Sequence, residues 1–204
     1  MNLEKELEKE GLMILGTFAS PGTMALIGPA GPAFWRRFTA SPEYADGQPD
    51  PLDRWSTRVL TAIAIRNGAV ALFPFGGPPW HPFLDWALST GRVFSSPVNL
   101  LVHAEHGLFV SFRAAMRFFE VRNSIPPARS PCPECHQPCR TACPVGALTS
   151  EGYNVPACKA HIRSPEGVAC RSGCLVRRAC PVGANLRLPD QSAFHMDAFV
   201  GGGS

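Results

Sequence analysis

Hydrophobic and polar positions change period several times along the chain, and each change marks an element. Residues 2–10 set Leu3 and Leu7 one helical turn apart among Glu and Lys, which predicts a short, largely solvated helix. Met13–Phe18 and Met24–Ile27 are brief apolar runs bounded by Gly and Pro, which reads as two strands. Gly28-Pro29-Ala30-Gly31-Pro32 follows. It lacks the Lys-Ser/Thr of a P-loop and the three-glycine dinucleotide spacing, so it reads as the cap of a helix from about Ala33 that carries Phe34, Trp35 and Phe38.

Residues 41–52 are polar and predict a loop. Asp53 then reads as the N-cap of a helix through Asn67, with Trp55, Val59, Leu60 and Ile63 on one face and Gly68 ending it. Ala69–Phe73 reads as a buried strand, and Leu84–Thr90 as a helix. Val98–Val102 and Leu108–Phe112 alternate as the arms of a hairpin turning at Ala104–Gly107. Residues 122–131, with three prolines, form a linker. The pattern predicts an α+β domain over residues 1–125, a small module over 126–190 and a tail over 191–204, packed back or loose, with Gly201–Ser204 its loosest part.

Pro74–Phe83 has two glycines, four prolines and three aromatic side chains. Such a rigid loop suits a flat aromatic or macrocyclic ligand, and equally a connector packed by its own rings. His81 within it is a candidate ligand or a hydrogen-bonded structural residue.

Composition changes the picture at one point. All eight cysteines, Cys132, Cys135, Cys139, Cys143, Cys158, Cys170, Cys174 and Cys180, fall within 132–180. Two close their clusters in the same hexapeptide, Ala142-Cys143-Pro144-Val145-Gly146-Ala147 and Ala179-Cys180-Pro181-Val182-Gly183-Ala184. Bacterial ferredoxins use C-x2-C-x2-C-x3-C-P, whose fourth cysteine ligates the other cluster. Here the first run is one residue longer in the middle, and the second is looser. Proline after the crossing cysteine offers no N–H and fixes φ, while Val-Gly-Ala lets backbone amides approach sulfur.

Eight thiolates supply two [4Fe–4S] clusters. The crossing rule assigns Cys132, Cys135, Cys139 and Cys180 to one, and Cys143, Cys158, Cys170 and Cys174 to the other. Structural zinc is an alternative, although zinc ribbons repeat C-x2-C and need no Cys-Pro closure. A disulfide framework is another, requiring an oxidising compartment.

Charge excludes little else. A net charge of +3 with mixed signs gives no nucleic-acid signature. No apolar run approaches the roughly 18 residues of a membrane span, and the charged start is unlike a signal peptide, so a cytoplasmic protein is expected. Arg140, Lys159, Arg163, Arg171, Arg177 and Arg178 either steer an acidic redox partner or form ordinary solvated surface.

Gly91–Met116 resembles the segment of epoxyqueuosine reductases in which a glycine-led turn leads into a strand, a His-containing turn and a second aromatic strand. The cysteine order is also similar to theirs. Val102–Arg113 looks like the CblC-type cobalamin-processing proteins as well. The resemblance implies a flavin-reductase- or cobalamin-domain-like α+β domain followed by a two-cluster ferredoxin-like module, the clusters feeding single electrons to a corrinoid. It implies corrinoid contacts from Gly76, Gly77, Trp80, His81, Asn99, His103 and Arg113. Two departures stand out: Phe75–Pro79 contains no acid where those enzymes keep a catalytic aspartate, and their tRNA-binding C-terminal repeats are missing, so no nucleic-acid partner is expected. The expected function is therefore an iron–sulfur oxidoreductase linked to cobalamin, served by a low-potential donor or acceptor protein. The alternatives are a plain two-cluster electron carrier, and a sensing or structural protein whose clusters hold the fold.

Overall fold

The computed structural model describes residues 3–201. The chain is a mixed α/β fold of helices and small antiparallel sheets, divided into two compact units. The first takes the chain up to Val93 and again over Ser111–Ala128; the second takes Phe94–Val110 and the chain from Arg129 onward. The expected boundary near residue 125 thus lies close to one observed crossing, but 94–110 joins the cysteine-bearing unit.

In the first unit, helix α1 (Leu3–Lys9) buries Leu7 and leads into β1 (Leu12–Ala19) and β2 (Thr23–Pro29), an antiparallel pair with a register shift at Ile14/Gly16. Helix α2 (Pro32–Thr39) has proline at its first turn, which suits a position whose N–H has no partner anyway. It buries Phe34 and Phe38, and Phe34 meets Trp55 edge-on at 5.4 Å. The expected polar loop 41–52 contains a short helix, α3 (Pro42–Ala45).

Helix α4 (Pro51–Arg66) starts earlier than expected. Asp50 occupies its N-cap position and Pro51 its first turn, while Asp53 lies inside the helix. The Asp53 carboxylate pairs instead with Arg113. Trp55, Val59, Leu60 and Ile63 are buried as their spacing requires. Strand β3 (Ala69–Leu72) is not a buried strand: Val70 is 45% exposed, because β3 is an edge of the sheet. Helix α5 is Phe83–Ser89.

Strand β4 (Val93–Ser95) pairs with β5 (Leu101–His103), and only an isolated bridge, His103 with Gly107, closes the turn beyond. Leu108–Phe112 is therefore not the second arm of a hairpin. The chain pairs next as β6 (Ala114–Phe118), a central strand between β2 and β3 in the order β1-β2-β6-β3. Residues 121–130 have no regular structure, as a linker should, yet they are tied to the first unit: the Arg122 amide donates to Thr23 Oγ1 and the Ile125 amide to Thr17 Oγ1.

The second unit adds α6 (Val155–Arg163), α7 (Val168–Arg171), α8 (Leu175–Ala179) and α9 (Pro189–Gly201). The expected tail is thus mostly helix, packed on α6 and α7; Gly202–Ser204, like Met1 and Asn2, lie outside the described residues. The core here is thin: Val98, Val102, Leu108, Leu148 and Val176 around Cys139, with other cysteines against them. Among the described residues, no helix is long and apolar enough to cross a membrane.

Candidate metal centre

All eight cysteines lie in the second unit as free thiols. Cys132 and Cys135 come from irregular chain and Cys139 from the turn Pro138–Arg140, while Cys180 follows α8. With Val102 and Leu108 these four border one open cleft. Burial pushes the thiols of Cys132 and Cys139 above their ordinary values, and Cys180 and Cys135 push both further. Burial raises Cys158 and Cys170, and each is raised again by Cys174 and Cys143.

Burial and neighbouring thiols oppose ionisation of Cys132, Cys139, Cys158 and Cys170, so a metal ion bound there would have to displace their protons. The chain also supplies donors suited to thiolate sulfur. The Ala147 amide donates to Cys143 Sγ at 3.2 Å and the Gln137 amide to Cys135 Sγ at 3.3 Å. Ala147 ends the first hexapeptide, so the small residues after Cys-Pro do bring an amide onto sulfur. Among the described residues the grouping that could hold a single metal ion is His103, Glu105 and His106, not a set of cysteines.

Glycines decide how the loops close. The Gly107 Cα lies where a Cβ would stand 2.2 Å from the Val182 carbonyl oxygen and 2.8 Å from Cys180 Sγ. A Cβ on Gly183 would stand 2.5 Å from the His106 carbonyl oxygen. The turn 103–107 is thus seated on the second Cys-Pro hexapeptide.

The expected corrinoid contacts are divided between the units. Gly76, Gly77, Trp80 and His81 share one loop of the first unit; Gly77 lies under the Trp80 ring, Trp80 is 65% exposed, and His81 stacks on Trp86. Arg113 is in the same unit but committed to an interior network, bonded to Asp53 and to Ser56 Oγ, with its guanidinium over Phe75. Asn99 and His103 are in the second unit. Asn99 takes a left-handed conformation in the turn between β4 and β5. His103 is buried, and its Nδ1 accepts from the amides of Glu105 and His106.

His103, Glu105 and His106 bring ligand atoms within 4.8 Å of one another, a grouping the sequence reading did not single out. It was visible only as a His-x-Glu-His turn. Because His103 Nδ1 already accepts two amides, this trio binds a cation through that nitrogen only by giving up both bonds.

The six basic residues of the cysteine region mostly hold the loops together. Arg163 bonds the Val200 carbonyl, Arg171 those of Ile162 and Ser164, Arg177 that of Leu108 and Arg178 that of Ala169. Arg140 bonds the Gln137 side chain, and Lys159 lies over the Phe199 ring. No family model, curated protein or solved structure matches the chain.

Proposed function

We propose that the second unit holds two [4Fe–4S] clusters and that the protein is a one-electron carrier. Cys132, Cys135, Cys139 and Cys180 would hold one cluster, and Cys143, Cys158, Cys170 and Cys174 the other. The observation that carries this reading is that all eight thiols are gathered in one thinly cored unit, with Cys132, Cys135, Cys139 and Cys180 around a single cleft. When bound, such clusters supply low-potential transfer of single electrons. The chain's own part is to keep the sulfurs in a thinly cored unit, give them amide donors that tune their basicity, and bind the loops through Arg side chains.

Electron transfer to a corrinoid held by a cobalamin-domain-like first unit is the extension that the family resemblance suggests. Of the residues expected to touch it, Trp80 and His81 remain accessible, whereas Arg113 and His103 are engaged in internal hydrogen bonds. The carrier reading therefore stands first.

The test is anaerobic: iron, acid-labile sulfide and visible spectra, before and after adding hydroxocobalamin. About eight irons per chain with matching sulfide, the content of two four-iron cubes, is the expected result. Retention of corrinoid with a shifted spectrum would extend the function to cobalamin reduction or processing. Zinc without sulfide would end the iron–sulfur reading.

A further inference from the structure

Helix α9 is attached to its unit in an unusual way. None of its side chains is buried, and its apolar residues, Ala193, Phe194, Met196, Ala198, Phe199 and Val200, are spread around the helix instead of forming one stripe. It nevertheless packs on α6 and α7. Towards its C-terminal end the Phe199 ring stacks on Tyr153 at 6.2 Å, with the Lys159 ammonium 5.2 Å from the ring centre. Beside that stack Arg163 donates to the Val200 carbonyl at 2.8 Å. Nearer its start, Ser192 is seated on Gly173, where an added Cβ would stand 2.9 Å from the Ser192 Cβ.

The elements under this helix carry cysteines. Cys158 lies on α6 directly before Lys159, Cys170 lies on α7, and Gly173 immediately precedes Cys174. Cys132, Cys135, Cys139 and Cys180 are placed differently: they border an open cleft whose lining includes no residue of α9. A surface helix with no buried side chain opens far more readily than the unit beneath it unfolds. We propose that α9 is a hinged cover over Cys158, Cys170 and Cys174, latched by Phe199 and Arg163, and that its opening admits small molecules to the centre these cysteines hold. The close seat of Ser192 on Gly173 makes the start of α9 the hinge side and the Phe199 end the side that lifts. The centre rests on the two-cluster reading above; the cover rests on the helix contacts alone.

The experiment follows iodoacetamide labelling of each cysteine by peptide mass spectrometry, in the full chain purified anaerobically, with iron and sulfide measured on the same samples. Labelling forms a thioether at sulfur and releases iodide, so its rate reports how often each sulfur becomes accessible, with or without metal. Wild type is compared with Phe199→Ala, Phe199→Tyr and Arg163→Met. In Phe199→Ala, loss of the ring stack and the cation–π contact should speed labelling of Cys158, Cys170 and Cys174 roughly tenfold and leave Cys132 and Cys135 within about twofold of wild type. Arg163→Met should move the same three cysteines in the same direction, and Phe199→Tyr, which keeps the ring, should match wild type. Unchanged rates at those three in both Phe199→Ala and Arg163→Met would overturn the cover. So would an equal rise at all eight cysteines, which is loosening of the whole unit. A selective rise in protein that carries no iron and sulfide would instead defeat the two-cluster reading and leave the cover standing.

Discussion

The two copies of Cys-Pro-Val-Gly-Ala show how one motif is used in two environments. Gly146 and Gly183 both have positive φ, at +58° and +70°. Nothing lies within 4 Å of a Cβ built on Gly146, whereas on Gly183 it would strike the His106 carbonyl. Gly146→Ala should therefore cost only the left-handed strain, about 1 kcal/mol. Gly183→Ala must also push the 103–107 turn off the loop after Cys180. Its thermal midpoint should fall further, and the centre of Cys132, Cys135 and Cys139 should lose iron. Equal behaviour of the two variants would contradict the seating of that turn. Cys180→Ala tests the ligand grouping directly: it should damage that same centre and spare the one containing Cys158.

Glu43 is a carboxylate of the first unit held by a forked ion pair with Arg58. Its carboxylate takes both hydrogen bonds of a forked pair with Arg58, and that pairing lowers its pKa from 4.5 to about 2. A depressed carboxylate contributes stability that is full above its unfolded value and fades as pH falls through the folded one. The difference in unfolding midpoint between wild type and Glu43→Gln should thus hold steady near pH 6 and shrink steadily from about pH 4.5 towards pH 2. A difference independent of pH would show that the pair contributes nothing through its charge.

At the scale of elements, what the sequence made legible follows from packing. Trp55, Val59, Leu60 and Ile63 recur at helical spacing because one face of α4 is in the core, and all four are buried. Its start was misplaced because Asp53 resembles a cap, while its actual partner, Arg113, is 60 residues away and invisible to local pattern. The central strand β6 was missed for a different reason. Ala114 and Ala115 have weak strand preference, and they are strand residues only because β2 and β3 flank them. In the cysteine unit the repeated Cys-Pro motif was legible and the helices were not, since Pro- and Gly-rich chain with few apolar residues has little periodicity to read. The polar anchors of the linker were equally hidden, being single hydroxyls. Replacing Thr17 and Thr23 by Val removes both acceptors, each worth roughly 0.5–1.5 kcal/mol. The amides of Arg122 and Ile125 should then exchange several-fold to about tenfold faster, with the β1–β2 amides little changed. Unaltered exchange at those two amides would mean the segment is held otherwise.

At the scale of the whole molecule, the two units owe their order to different forces. The first has a conventional interior of Phe34, Phe38, Trp55, Leu60 and Ile63 under a four-stranded sheet. The second buries few large side chains and sets thiols among them, with arginines bonded to loop carbonyls. On the two-cluster proposal, the metal that displaces the thiol protons also supplies much of the unit's folding energy. Removing iron anaerobically with a chelator should therefore unfold one unit and leave the other. All four tryptophans, Trp35, Trp55, Trp80 and Trp86, belong to the first unit, so their fluorescence should stay close to native. Far-UV dichroism should lose the contribution of α6 to α9, and amides across 155–201 should exchange freely. Urea unfolding of the metal-free protein should show only the transition seen by tryptophan. Protected amides in α6 and α8 without iron would mean that the thin core and the arginine bonds suffice, and the thiols would then be ligands that the fold does not need.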